Sequence, residues 1–166
     1  MRDYVTQLLT KYRNSGILLD ANILILYFVG SLSRDLIQKS RPTKMFMPED
    51  YDILFMTLQH LQIKKFITTP NVMTEVNNLA NKLPEKHKLA FLQKFSREIP
   101  HFDEFYIPSA EIAQTPVFKK LGLTDAGIID LVKDKYLVVT MDFSLWNYLQ
   151  NLGINAVNFN HIRFQT

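Results

Sequence analysis

Residues 17–26 read ILLDANILIL, an apolar run interrupted only by Asp20 and Asn22. Burying an ionised carboxylate is costly unless it is hydrogen-bonded, paired or bound to a cation. Asp20 must therefore either reach a surface where the chain turns or meet something positive. Three more acids adjoin apolar segments: Glu75 in TTPNVMTEVNNL (68–79), Asp125 in LGLTDAGIIDL (121–131) and Asp142 in LVVTMDFSL (137–145). Carboxylates brought together raise one another's pKa and cost stability until a cation joins them. A site built only of oxygen donors suits Mg²⁺ or Mn²⁺. Each acid also has a purely structural reading. Asp20 and Asp142 could be helix N-caps, Asp125 a first-turn acid answering the helix dipole, and Glu75 a residue on a solvated helix face.

The elements that must position these acids alternate. Residues 3–13 have helical spacing, and 16–19 form a short apolar strand after the turn signal Asn14-Ser15-Gly16. A helix over 22–29 leaves Asp20 at the switch. The pattern fades from 30 to 50, where Arg34, Lys39, Arg41 and Lys44 gather; residues 31–49 are expected to be a basic loop or insertion, with a short helix at 33–39. Helical spacing returns over 51–61. A strand at 66–69 is closed by Pro70, which opens a helix to about 81, and another helix runs from 85 to 97. Residues 105–107 (FYI) read as a strand ended by Pro108, and 109–119 as a helix. Thr124 is an N-cap candidate for a helix to Lys133, 136–140 is a nearly continuous apolar strand, and 143–151 is a helix stopped at Gly153. Residues 155–158 would be the last strand. Asp130, five residues from Asp125, lies about 140° round the helix and reads as a surface charge near Lys133. Repeated strand–helix units predict an α/β fold, a three-layer sandwich with a mainly parallel central sheet and helices on both faces. Ligands of such sheets bind beyond the carboxyl ends of the strands, toward which three or four of these acids are expected to point.

Composition narrows the rest. A chain of 166 residues, 47% hydrophobic and 21% charged, suits one domain, 1–166, with a substantial core. The absence of cysteine excludes disulfides and thiolate metal sites, and the four histidines lack paired spacing. No apolar run approaches the roughly 18 residues of a spanning helix, and the first residues lack a secretory apolar region; a cytoplasmic protein with no membrane partner is expected. The net charge of +3 permits nucleic acid as a partner without requiring it.

Taken in order, LLDANILI (18–25), TTPNVMTEVNNL, LGLTDAGIIDL and LVVTMDFSL resemble the motifs of the PIN domain family, over residues 16 to about 158. That family consists of metal-dependent ribonucleases and includes the VapC-like toxins of toxin–antitoxin pairs. The resemblance implies Asp20, Glu75, Asp125 and Asp142 as the catalytic and metal-binding acids, with Asn22 and Thr140 as polar supports. Asn22 completes the family's Asp-x-Asn opening, with Ala21 where Thr is commoner. The chain is longer than the small VapC-like toxins, with 31–49 and 84–119 enlarged.

The activity this implies is that of an endoribonuclease using Mg²⁺ or Mn²⁺ to hydrolyse single-stranded RNA. Asp20 and Asp125 are the expected inner ligands, Asp142 completes the site, and Glu75 holds a metal water or a second ion. Arg34, Lys39, Arg41 and Lys44 are candidate phosphate contacts, with an ordinary solvated loop as the alternative. Expected partners are the RNA, an antitoxin protein if the chain is a toxin, and a second copy of itself. Three rivals stand beside this. One is a DNA-directed or structure-specific nuclease of related fold, and another a non-catalytic domain binding RNA or protein. The third, a phosphoryl-transfer or receiver protein, needs a second acid near Asp20 that the sequence does not supply.

Overall fold

The computed structural model describes residues 2–133 and 135–163. Its sheet is built from short strands, mostly apolar except for the acidic edge strand: β1 (Ile17–Leu19), β2 (Phe66–Thr68), β3 (Phe102–Glu104), β4 (Leu137–Thr140) and β5 (Ala156–Asn158). All pair in parallel, in the order β3-β2-β1-β4-β5. Ile17, Leu18, Leu137 and Val138 are fully buried. Continuous burial, rather than alternation, is what a parallel sheet covered on both faces demands. The β1→β2→β3 connections run one way across the sheet and β4→β5 runs the other. Right-handed crossovers therefore put their helices on opposite faces. The expected α/β three-layer arrangement holds, and the direction of winding reverses between β1 and β4.

The helices are α1 (Arg2–Tyr12), α2 (Ala21–Leu32), α3 (Leu36–Lys39), α4 (Pro48–His60), α5 (Pro70–Ala80), α6 (Glu85–Glu98), α7 (Ser109–Ile112), α8 (Phe118–Val132), α9 (Phe143–Asn151) and α10 (Asn160–Arg163). Helix α2 is apolar nearly all round and buries eight residues, from Ala21 to Gly30. It is a core helix, packed against α3, α4, α5 and α6. Phe28 sits edge-on to both Phe91 and Phe95 of α6. Helix α9 ends as the sequence indicates. Gly153 has φ +72°, its N–H donates to Gln150 O (3.0 Å) and that of Ile154 to Leu149 O (2.9 Å), a Schellman closure. No helix among the described residues is long and apolar enough to cross a membrane.

Several expectations need correction. Residues 31–49 hold the short helix expected at 33–39, as α3, but they are more than a loop around it: a 3₁₀ turn (Arg41–Thr43) follows, and Leu36, Ile37 and Phe46 are buried, the last against Phe159 beyond β5. The third strand is 102–104, not 105–107. The helix expected over 109–119 is two pieces, α7 and the start of α8, because Pro116 lies between them and cannot serve a helix interior. Helix α8 is two helical pieces that meet at Gly122, whose backbone is not helical; the second begins within two residues of Thr124, so the helix expected from there to about Lys133 is present with its start slightly displaced. Thr69 leaves the strand and caps α5 instead, accepting from Val72 N–H at 3.3 Å.

Candidate active site

Asp20 is where β1 stops and α2 begins. Its N–H still donates to Val139 O of β4 (3.0 Å), and its carbonyl already accepts from Ile23 and Leu24. Its side chain Oδ1 caps α2 by accepting from Asn22 N–H at 2.7 Å. Oδ2 accepts from the Thr140 hydroxyl, in a short contact. Thr140, fully buried at the end of β4, accepts in turn from Asp142 N–H at 2.9 Å. One hydroxyl thus ties the end of β4 to the end of β1. The carboxylate in the apolar run is held by hydrogen bonds to a helix N-terminus and a neighbouring strand, with only 6% of its surface exposed.

Asp142 follows β4 and caps α9. Its Oδ1 accepts from Ser144 N–H (2.6 Å) and Leu145 N–H (3.1 Å). Unlike Asp20 it is exposed. Asp125 lies three residues past the break at Gly122, in the first turn of the resumed helix, and Glu75 lies on α5, which packs against α8. The four acids, from four elements, line one cleft of about 190 Å³ beyond the carboxyl ends of β1 and β4, together with Asn22, Thr124, Leu121 and Leu123. This is the switch point at which parallel sheets bind ligands.

The electrostatics reflect the crowding. Burial pushes Asp20 up to about 6, against the lowering effect of its Thr140 and Asn22 hydrogen bonds; the charges of Glu75 and Asp142 push the same way as burial. Asp125 is raised to about 7, by burial first and then by the charges of Asp142, Asp20 and Glu75. Glu75 and Asp142 therefore act on both raised groups, and a cation in the cleft would relieve that cost. Among the described residues, no group of three or more acid or imidazole side chains stands ready to grip a metal by itself. The donor set nevertheless fits Mg²⁺ or Mn²⁺, because such ions commonly take one or two carboxylates and fill their other positions with water and substrate phosphate.

The structural readings of Asp20 and Asp142 as caps are thus realised together with their place in the cleft. Asp130 is the surface charge expected, paired with Lys133 at 2.7 Å. Arg34, Lys39, Arg41 and Lys44 are exposed but do not line the cleft, and Arg34 is paired with Asp52 at 2.5 Å. Sequence reasoning misses Lys119 and Lys120, exposed on α8 just before Leu121, with Lys120 Nζ over the Tyr148 ring of α9 (5.8 Å to its centroid). Their position directly ahead of LGLTDAG is a usable signal. Compared with known proteins, the chain matches no family model, no curated protein and no solved structure.

Proposed function

We propose that this chain is a Mg²⁺- or Mn²⁺-dependent endoribonuclease that cleaves single-stranded RNA in the acid cleft. The observation that carries this reading is the convergence of Asp20, Glu75, Asp125 and Asp142 from four elements onto the sheet's switch point, where burial and mutual repulsion disfavour the charged forms of Asp20 and Asp125. The ordered resemblance of the four motifs to PIN domains supports the same chemistry, and a toxin of a toxin–antitoxin pair is the finer form of the proposal.

Asp20 and Asp125 would hold the ion, and Asp142 and Glu75 would complete its surroundings. When bound, the ion lowers the pKa of a water and neutralises charge developing on the phosphate. Thr140 and the Asn22 N–H fix the orientation of Asp20. Leu121 and Leu123 wall the cleft with apolar surface, which strengthens charge interactions inside it. Lys119 and Lys120, exposed just before the cleft-lining Leu121, are the nearest basic residues in sequence to the LGLTDAG segment and candidate contacts for flanking phosphates.

A second reading, a non-catalytic binding domain, is favoured by one observation: Asp20 and Asp142 both serve as helix caps, a reason to retain them without catalysis. The deciding assay incubates purified protein with matched single- and double-stranded RNA and DNA in Mg²⁺, Mn²⁺, Ca²⁺ or EDTA. Cleavage of single-stranded RNA in Mg²⁺ or Mn²⁺, absent in Ca²⁺ and EDTA and lost in Asp20→Asn and Asp125→Asn, is expected. Cleavage confined to DNA would move the substrate class. RNA binding without any cleavage would favour the second reading.

A further inference from the structure

Helix α9 has an apolar stripe, Leu145 and Leu149, buried in the core. Phe143, its first residue, lies off that stripe with 66% of its surface exposed. Burying such a ring is worth about 1.5–3 kcal/mol, so folding does not account for its position. It is backed by other rings: Trp146, one turn along, at 5.6 Å between centroids, and behind Trp146 the edge-on ring of His161, at 5.2 Å. Phe143 also immediately follows Asp142, whose side chain lines the acid cleft. Consecutive Cα atoms are about 3.8 Å apart, so at the α9 N-terminus a residue that lines the cleft is followed directly in the chain by an open aromatic ring.

We infer that Phe143, supported by Trp146, is a stacking shelf for a nucleobase of the strand whose phosphate enters the acid cleft. This rests on the nuclease reading and names the subsite that would select unpaired substrate. A base inside a duplex has both faces covered, whereas a base in a single strand can leave its neighbours and stack on a side chain, with little sequence preference. The position of the shelf favours a nucleic acid over a protein partner: Phe143 directly follows Asp142, which lines the acid cleft, and Lys120 lies on Tyr148 of the same helix. A protein docking on the rings would not depend on the cleft next to them.

Trp146 is the chain's single tryptophan, so its emission reports directly on the shelf. The experiment titrates the full chain, in Ca²⁺ to prevent turnover, with a short single-stranded oligoribonucleotide and with an abasic oligomer of equal length. We expect saturable quenching by the first and little by the second. In Phe143→Ala the Kd for the oligoribonucleotide should rise about tenfold, and in Phe143→Tyr it should return close to wild type, with unchanged melts in both. Equal affinity for the abasic oligomer, or an unaltered Kd in Phe143→Ala, overturns the shelf. The two readings fail separately. Absent cleavage with intact Phe143-dependent quenching leaves a base-binding shelf without the chemistry. Acid-dependent cleavage whose KM ignores Phe143→Ala removes the shelf and keeps the nuclease.

Discussion

At the scale of single residues, Thr140 is the hinge of the site. It donates to Asp20 and accepts from Asp142 N–H, so one hydroxyl holds two acids that come from neighbouring strands. In Thr140→Val the buried Asp20 carboxylate loses a donor, at a cost of about 1–3 kcal/mol, and Asp142 loses its backbone anchor. Cleavage should fall by about 10- to 100-fold, as when other outer partners of metal ligands are removed, while Thr140→Ser should recover most of it. A Thr140→Val enzyme with full activity would show that the acids are placed without it. The acids themselves are legible in the sequence, because a carboxylate amid ILL and ILIL demands an explanation. The double use of Asp20 and Asp142, as cap and as cleft wall, is not. A cap and a cleft-lining acid call for the same residue type at the same strand-to-helix junction, so only the folded chain shows both at once.

At the scale of elements, the position of Asp125 depends on a break in α8. Gly122 has φ +82° and ψ −175°, a region that is essentially glycine's alone. A Cβ there would meet no atom within 4 Å, so the obstacle to substitution is the backbone and not crowding. Gly122→Ala should cost about 1–3 kcal/mol if the break is kept, or straighten α8 and carry Asp125 out of the cleft. Either way cleavage should drop more than in the exposed control Lys86→Ala, and a thermal melt separates the two routes. An active, fully stable Gly122→Ala would mean that the break does not set the site. The glycine stands in LGLTDAG, yet nothing local distinguishes a mid-helix break from a helix start, and Thr124 looks the better cap. The third strand misleads for a related reason. FYI at 105–107 has the stronger β propensity, but the edge strand takes its register from β2, through the Phe66–Phe102 ring contact and the Lys65–Asp103 ion pair at 2.8 Å. That ladder is three residues long, and propensity cannot supply a long-range partner.

At the scale of the whole molecule, the crowded acids of the cleft cost stability that the proposed cation would restore, and the pH dependence should show it. Asp20 and Asp125 titrate from an ordinary 3.8 in the unfolded chain to about 6 and about 7 in the fold. Between those values the folded state binds more protons than the unfolded one, so stability falls as pH rises, from about pH 4 to about pH 7, and then levels. This is the reverse of a carboxylate held by a salt bridge. Asp125→Asn should remove the upper part of the fall. Mg²⁺ or Mn²⁺ should stabilise the protein by about 2.7 kcal/mol at a hundred times its Kd, or about 5–10 °C for a chain of this size. Protons compete for the same carboxylates, so the gain should be much larger at pH 8 than at pH 5. Thermal melts across pH 4–8, with EDTA and with Mn²⁺, for wild type and Asp125→Asn, carry the test. A melting temperature that climbs from pH 4 to 7 in EDTA, or a Mn²⁺ shift undiminished in Asp125→Asn, would detach the cleft's electrostatics from metal binding.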